Sequence, residues 1–182
     1  MPEVLILTGP HGTGKSSVAE ALAERYDRVA HIPVDTLRHF ITPTGYVAPG
    51  KPGFDRQHAL AVRNACAMAR NFLEERIAVI VEDIVIARDD LDAYLPELKA
   101  AGVPVHCIRL MAPLDVCQAR NRERKEQRQP LPRVEGIWRQ FEAAGEIPGS
   151  TVETAALSVY ATADRVQALT TSGASLVWRP EG

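Results

Sequence analysis

Short apolar runs alternate along this chain with longer stretches in which apolar residues recur every three to four positions. The short runs are rich in Val and Ile and are typical of buried strands, whereas the longer stretches are typical of amphipathic helices. Strands are predicted over residues 3–7, 28–34, 77–81, 103–110 and 157–161, and one of the helices is predicted around 89–101. Because helical sequence follows each strand, the pattern predicts an α/β fold of three layers, in which a five-stranded parallel sheet has helices on both faces.

Two stretches interrupt this alternation. Residues 42–53 form a Pro/Gly-rich loop without periodicity, and Asp55 is predicted to cap the helix that follows. After the fourth strand, a highly charged helix is expected to break at Pro–Leu–Pro, residues 130–132. The arginine-rich segment at about 119–133 is predicted to be a short lid. Since no linker divides the chain, residues 1–182 are predicted to form one domain.

Composition narrows the class of protein. With 182 residues, of which 46% are apolar, the chain is long enough for one well-buried domain. Its formal net charge of −2 argues against a dedicated nucleic-acid or membrane-surface binder, because such proteins usually carry a basic excess. The first residues have neither a positive segment nor a long apolar run, so no membrane partner is expected. Three cysteines without metal-ligand spacing suit a reducing compartment, and a cytoplasmic monomer or homodimer is expected.

The sequence GPHGTGKSS, residues 9–17, directly follows the first predicted strand. It satisfies G-x-x-x-x-G-K-[ST] between a strand and a helix, the context in which this pattern forms a phosphate-binding loop. Glycines let the backbone curl so that its amides point at an anion, and the helix N-terminus adds positive potential. Lys15 is expected to span the β- and γ-phosphates of ATP, and the Ser16 hydroxyl is expected to ligate Mg²⁺. The residues predicted to bind the nucleotide are Gly9, His11, Gly12, Thr13, Gly14, Lys15, Ser16 and Ser17.

The order of these features resembles that of small P-loop kinases. The phosphate loop lies near the N-terminus, VDTLRHF (34–40) follows strand two, and the arginine-rich segment follows strand four. In this order the chain is similar to the group of chloramphenicol phosphotransferase, gluconate and shikimate kinases and polynucleotide 5′-kinases. The resemblance covers most of the chain, although only the phosphate loop is a specific motif. It implies transfer of the ATP γ-phosphoryl group to a hydroxyl. A Gly-Gly-Gly loop after strand three is missing, which makes shikimate a doubtful acceptor.

Residues that handle the acceptor are expected after strand two. In similar kinases an Asp at the position of Asp35 accepts or orients the proton of the attacking hydroxyl, and an Asp here also suits a helix cap. Arg38 shares a helix face with Asp35, so it is expected either to hold an anionic part of the acceptor or to pair with Asp35. Arg63 lies on the polar face of the next helix and is expected to reach the acceptor pocket or to face solvent.

Carboxylates and arginines complete the predicted site. Strand three ends in Glu82 and Asp83, and Asp83 is the preferred candidate to hold the water shell of Mg²⁺, with a helix cap as the alternative. Arg120 and Arg124 lie four residues apart, so both are able to neutralise charge on the transferring phosphoryl group. A solvated helix face explains the same charge run. The histidines outside the phosphate loop lack metal spacing and are expected in the core or at the surface: His31, His39, His58 and His106.

These features favour an ATP- and Mg²⁺-dependent phosphotransferase that acts on a hydroxyl of a small molecule. Few charges and several aromatic residues at 40–60 are consistent with a partly apolar acceptor, such as an antibiotic. Two alternatives stay open. In the first the acceptor is a nucleic-acid 5′-hydroxyl, against which the acidic balance counts. In the second the protein is a non-catalytic ATP-binding regulatory module, in which Asp35 would have no catalytic use.

Overall fold

A computed structural model describes residues 2–42, 45–125 and 128–180. Within these ranges the strands are β1 (Val4–Thr8), β2 (Val29–Pro33), β3 (Ala78–Glu82), β4 (Val105–Met111), β5 (Ser150–Glu153) and β6 (Leu176–Trp178). The helices are α1 (Lys15–Ala23), α2 (Val34–His39), α3 (Phe54–Glu74), α4 (Arg88–Asp92), α5 (Leu95–Lys99), α6 (Leu114–Glu123), α7 (Leu131–Ala144) and α8 (Val159–Thr171).

Five of the strands form a parallel sheet in the order β2-β3-β1-β4-β5, and β6 pairs antiparallel with β4. Leu7 of β1 and Pro33 of β2 both pair with Glu82 of β3. The carboxyl ends of these three strands therefore lie side by side, and the loops that leave them share one edge of the sheet. The predicted α/β class, with a parallel sheet between helices, is confirmed.

Each face of the sheet packs on its own helices. On β1, Val4 and Ile6 belong to the core cluster that includes residues of α3 and α5. Leu5 and Leu7 belong to the cluster that includes residues of α1 and α8. Alternate side chains of a strand point to opposite faces, so a strand that is buried on both faces needs an unbroken apolar run. This requirement explains why β1 and β3 are evident in the sequence.

The predicted fifth strand at 157–161 is wrong. Ser158 caps α8, and its Oγ accepts a hydrogen bond of 3.1 Å from the amide of Ala161. The fifth parallel strand is β5, which ends the strand order and has Val152 as its one fully buried residue. An edge strand with mostly exposed side chains needs no apolar run, so the sequence of β5 has no hydrophobic pattern from which a strand could be predicted. The antiparallel strand β6 was not predicted either.

Several helix boundaries also differ from the prediction. The helix predicted around 89–101 is divided into α4 and α5, and Pro96 lies in the first turn of α5. The N-cap of α3 is Gly53, with φ of 89°, and Asp55 instead lies in the first turn. After β4, α6 ends at Glu123, so the prolines of Pro–Leu–Pro begin α7 and do not break the preceding helix.

The segment predicted to be a lid contains the connection between α6 and α7. The Asn121 side chain accepts a hydrogen bond from the Gln129 amide at 3.0 Å and donates one to the Gln129 carbonyl at 2.8 Å. The Asn121 side chain is buried, and these two bonds hold the ends of the connection together. Residues 126 and 127 of the predicted lid lie outside the described residues.

Candidate functional site

The phosphate-binding loop connects β1 to α1 and depends on glycines with positive φ. Gly9 has φ of 143° and Gly12 has φ of 87°. A Cβ atom on Gly9 would overlap the Leu110 carbonyl at the end of β4, and one on Gly12 would overlap the Cys117 carbonyl in α6. The loop backbone therefore passes directly against two other elements, an approach that only glycine permits.

Replacing Gly12 by alanine is expected to lower the free energy of unfolding by about 2–5 kcal/mol, because left-handed strain of about 1–2 kcal/mol adds to overpacking of about 1–3 kcal/mol. Urea unfolding measures this change. The matched control is Gly136→Ala in α7, where a Cβ atom meets nothing within 4 Å. That variant is expected to gain about 0.5–1 kcal/mol. Equal unfolding free energies for Gly12→Ala and the unsubstituted protein would contradict the steric argument.

Lys15 begins α1 and is buried against the loop. Its Nζ donates hydrogen bonds to the carbonyls of Gly9, at 2.7 Å, and Pro10, at 3.1 Å. Burial lowers the pKa of Lys15, while the negative charge of Glu82 opposes this shift. The ammonium therefore lies within the loop, bonded to loop carbonyls, close to where a phosphate-binding loop holds its anion.

Glu82 ends β3 and contacts the loop directly. The Ser16 hydroxyl donates to Oε1 of Glu82 at 2.7 Å, and Nε2 of His31 lies 2.9 Å from Oε2. Burial by itself would raise the pKa of Glu82. The hydrogen bond with His31, the charge of Lys15 and the hydrogen bond from Ser16 outweigh burial and lower the pKa. An ionised carboxylate therefore stands next to the serine hydroxyl.

Asp83, the carboxylate preferred in the sequence analysis, does not contact Ser16. Tyr94 Oη donates to its Oδ2 at 2.5 Å, and Nε2 of His58 lies 3.4 Å from the same oxygen. Burial raises the pKa of Asp83, opposed by the charge of His58 and the hydrogen bond from Tyr94. Successive residues of a strand face opposite sides, so Glu82 faces the loop and Asp83 faces α3. Glu82, and not Asp83, therefore contacts the Ser16 hydroxyl.

Asp35 lies in the first turn of α2, where Pro33 is the N-cap. Its side chain is 61% exposed and forms ion pairs with Arg38, at 2.8 Å, and with His39, at 3.7 Å. The expected helix-cap role of Asp35 is therefore wrong, and its pairing with Arg38 is confirmed. Asp35 lies two residues beyond Pro33, the end of β2, and Pro33 pairs with Glu82, the residue of β3 that contacts Ser16.

Arg38 is buried, and two aromatic rings pack against its guanidinium. The guanidinium carbon lies 4.7 Å from the centroid of the Tyr46 ring and 4.5 Å from that of Phe54. Its Nη2 donates to the Val47 carbonyl at 2.5 Å. These contacts hold Tyr46 and Val47 of the 45–53 loop against Arg38 of α2. Arg63, the other arginine assigned to the acceptor, is exposed on α3.

The predicted lid arginines occupy different surroundings. Arg120 donates to Oγ1 of Thr154, at 3.0 Å, and to its carbonyl, at 2.8 Å, and Thr154 in turn donates to the Thr13 carbonyl at 3.3 Å. Arg120 thereby ties α6 to the loop after β5 and to the phosphate loop. Arg124 follows the last residue of α6, and its positive charge acts on Lys15.

One arginine near the phosphate loop was not predicted. Burial and the charges of Lys15, Arg133 and Arg124 lower the pKa of His11 to about 3. Arg133, in the first turn of α7, therefore belongs to the positive surroundings of the loop together with Arg124. Arg133 is the last residue of the arginine-rich segment, so the composition of that segment was the signal that could have identified it. The four-residue spacing that selected Arg120 and Arg124 does not include Arg133.

A glycine-dependent phosphate loop between a buried strand and a helix, next to a carboxylate on the neighbouring strand, defines the class of P-loop nucleotide-binding folds. The chain belongs to the family described as an AAA domain, whose model matches residues 4–148. No curated protein matches the chain at a significant level. None of the helices in the described ranges is long and apolar enough to cross a membrane.

Solved structures of small kinases share the fold. A gluconokinase from Sinorhizobium meliloti 1021 has a TM-score of 0.72 and 20% identity, over 95% of this chain and 94% of that one. The tunicamycin resistance protein of Deinococcus radiodurans has a TM-score of 0.66 and 21% identity, with all of both chains covered. The APS kinase of Mycobacterium tuberculosis, solved with AMPPNP and APS, has a TM-score of 0.68 and 17% identity, over 93% and 98%. The protein thus has the fold of small P-loop kinases.

Proposed function

We propose that the protein is an ATP-dependent phosphotransferase that moves the γ-phosphoryl group to a hydroxyl of a small molecule. The observation that carries this proposal is that Asp35 follows the carboxyl end of β2, where Pro33 pairs with Glu82 of β3 and Glu82 in turn contacts Ser16. A carboxylate at this position suits transfer to a hydroxyl, and a binding module has no need of it. The kinases that share the fold support the same choice.

In the proposed reaction, a lone pair of the acceptor oxygen attacks the γ-phosphorus, and the hydroxyl proton passes to a carboxylate oxygen of Asp35. The bond from the γ-phosphorus to the bridging oxygen breaks, and its electron pair leaves with ADP. Lys15, Arg124 and Arg133 supply positive charge around the transferring group. The proposed contribution of Arg120 is to position the loop, because its guanidinium is engaged by Thr154.

The residues present fit Mg²⁺, which prefers oxygen ligands. The hydroxyl of Ser16 and the ionised carboxylate of Glu82 are 2.7 Å apart. Ser16 would ligate the ion, and Glu82 would hold its water shell. When bound, Mg²⁺ neutralises charge on the β- and γ-phosphates.

Replacing Glu82 by glutamine is expected to raise the Mg²⁺ concentration for half-maximal activity about 10-fold or more, the usual cost of losing a group that orients metal ligands. The amide keeps the size of the side chain but removes its charge. ADP release measured across a Mg²⁺ titration tests this expectation. Glu97→Gln, on α5, removes the same charge from a surface ion pair with Arg70 and should leave the Mg²⁺ requirement unchanged. An unchanged requirement in Glu82→Gln would exclude Glu82 from the metal site.

The acceptor is proposed to be partly apolar. Two of the aromatic residues at 40–60, Tyr46 and Phe54, pack on Arg38, and Phe40 remains 70% exposed near the end of α2. Aromatic surface next to one clamped arginine favours a hydroxyl compound with apolar parts, such as an antibiotic, over a sugar acid. The fold shared with a tunicamycin resistance protein supports including antibiotics among the compounds tested.

The experiment that tests the proposal is a measurement of ADP release with Mg·ATP and a panel of acceptors. The panel contains hydroxylated antibiotics, hydroxylated metabolites and oligonucleotides with a 5′-hydroxyl, and Mg·GTP is run in parallel. Release that depends on a small molecule supports the proposal. Release with the oligonucleotide alone would replace it by a polynucleotide 5′-kinase. Binding of Mg·ATP without acceptor-dependent release over the whole panel would contradict phosphotransfer.

A further inference from the structure

A second group of polar side chains in contact lies on the α3 side of the sheet, and the proposed reaction does not use it. It consists of His58 on α3, Asp83 after β3 and Tyr94 before α5. Tyr94 and Asp83 are 1% and 8% exposed, whereas the His58 side chain is 31% exposed. The group therefore leads from the core outward and ends in an imidazole that a ligand is able to reach.

Asp83 contacts one edge of the His58 imidazole, and the Phe54 ring stacks beside it. Its Nε2 lies 3.4 Å from Oδ2 of Asp83, and Asp83 is fixed by the 2.5 Å hydrogen bond from Tyr94 in the core. The Phe54 ring lies parallel to it, at an angle of 2° and a centroid distance of 5.8 Å. Among the described residues, none forms a hydrogen bond with Nδ1 of His58. Nδ1 is thus presented in a fixed direction, free to bind a ligand.

On one side, His58 adjoins the proposed catalytic carboxylate through two contacts. The Phe54 ring lies against the His58 ring and also lies 4.5 Å from the Arg38 guanidinium carbon. Arg38 in turn pairs with Asp35 at 2.8 Å. The ring of His58 is therefore connected to the carboxylate of Asp35 by an unbroken series of contacts through Phe54 and Arg38.

His58 is also linked to the end of β3 through Asp83. Asp83 directly follows Glu82, which accepts the hydrogen bond from Ser16. The charge of Lys15 acts on both carboxylates. Through Asp83, His58 is thus anchored at the end of β3, next in sequence to the carboxylate that contacts Ser16.

We propose that His58 binds the acceptor through Nδ1, and that Asp83, held by Tyr94, is a positioning residue that acts through His58. This inference rests on the proposed phosphotransfer and names a residue that determines which hydroxyl compound is accepted. One imidazole nitrogen beside the Phe54 ring suits a neutral hydroxyl or amide on a partly apolar acceptor. Asp83 at the opposite edge of the ring disfavours a carboxylate at this position.

Two variants separate acceptor binding from a structural role. Glutamine at position 58 places its amide nitrogen near Nε2, so His58→Gln keeps the contact with Asp83 but has no group at Nδ1. His58→Gln is expected to keep the melting temperature and the Mg·ATP affinity of the unsubstituted protein. The KM for the panel compound with the highest ADP release is expected to rise roughly 3- to 10-fold, the loss of one hydrogen bond. Asp83→Asn is expected to raise the same KM, because the ring of His58 is no longer held.

The matched control is Arg70→Ala, which removes the ion pair of 3.1 Å between α3 and Glu97. It is expected to leave KM unchanged. If His58→Gln keeps the original KM, or loses melting temperature and Mg·ATP affinity together with KM, the inference is overturned. If the unsubstituted protein binds Mg·ATP but releases no ADP with any panel compound, the proposed function fails and the inference fails with it. Acceptor-dependent release that only the position 58 and 83 variants impair through KM supports it.

Discussion

Replacing Asp35 by asparagine is expected to lower kcat for acceptor-dependent ADP release about 10²–10⁴-fold, the contribution of a positioned general base. Asparagine has the same shape and still accepts the hydrogen bond from Arg38, so the packing around Arg38 is expected to persist. It cannot take up the hydroxyl proton at neutral pH. Mg·ATP affinity should not change, because α2 lies outside the phosphate loop. Steady-state kinetics and calorimetry with Mg·ATP measure the two quantities.

Asp55→Asn is the matched control for this experiment. Asp55 lies in the first turn of α3 as Asp35 lies in the first turn of α2, and both side chains are exposed. The substitution therefore has the same effect on helix charge without touching the proposed site. Its kcat should equal that of the unsubstituted protein. An equal kcat for Asp35→Asn would show that the assignment of the base is wrong.

Replacing Lys15 by methionine is expected to lower kcat about 10²–10³-fold, as the loss of one preorganised electrostatic donor does in other enzymes. The Lys15 ammonium donates to the carbonyls of Gly9 and Pro10, and we expect it to exchange these for phosphate oxygens when ATP binds. Methionine keeps most of the length and removes the charge. Burial lowers the pKa of Lys15, so the charge is costly in the folded protein. Relief of this cost is expected to offset the two lost hydrogen bonds in the free energy of unfolding.

Lys99→Met provides the comparison for Lys15→Met. Lys99 is exposed at the end of α5, and its replacement removes a lysine charge far from the loop. Single-turnover measurement of ADP formation at saturating Mg·ATP separates the chemical step from nucleotide binding. Full activity of Lys15→Met at saturating nucleotide would exclude Lys15 from stabilising the transferring phosphoryl group.

Features that depend on neighbours in the sequence were predictable. The strand, the glycines, Lys15 and Ser16 of the phosphate loop are consecutive, so the residues that build the loop are visible together. The strands buried on both faces, such as β1 and β3, need apolar runs, which the sequence displays. β5 and β6 gave no such signal, because β5 is an edge strand with one buried residue and β6 is short.

The sequence by itself determined the α/β class, the phosphate loop and the candidate residues around it, since these follow from periodicity and from a contiguous motif. Only the tertiary structure decided that Glu82, and not its neighbour Asp83, contacts Ser16, because a single step along a strand reverses the face of the sheet. It likewise brought Arg133 to His11 and joined His58 to Asp83. Such contacts link residues that are far apart in the chain, and packing, which no local pattern records, sets their distances.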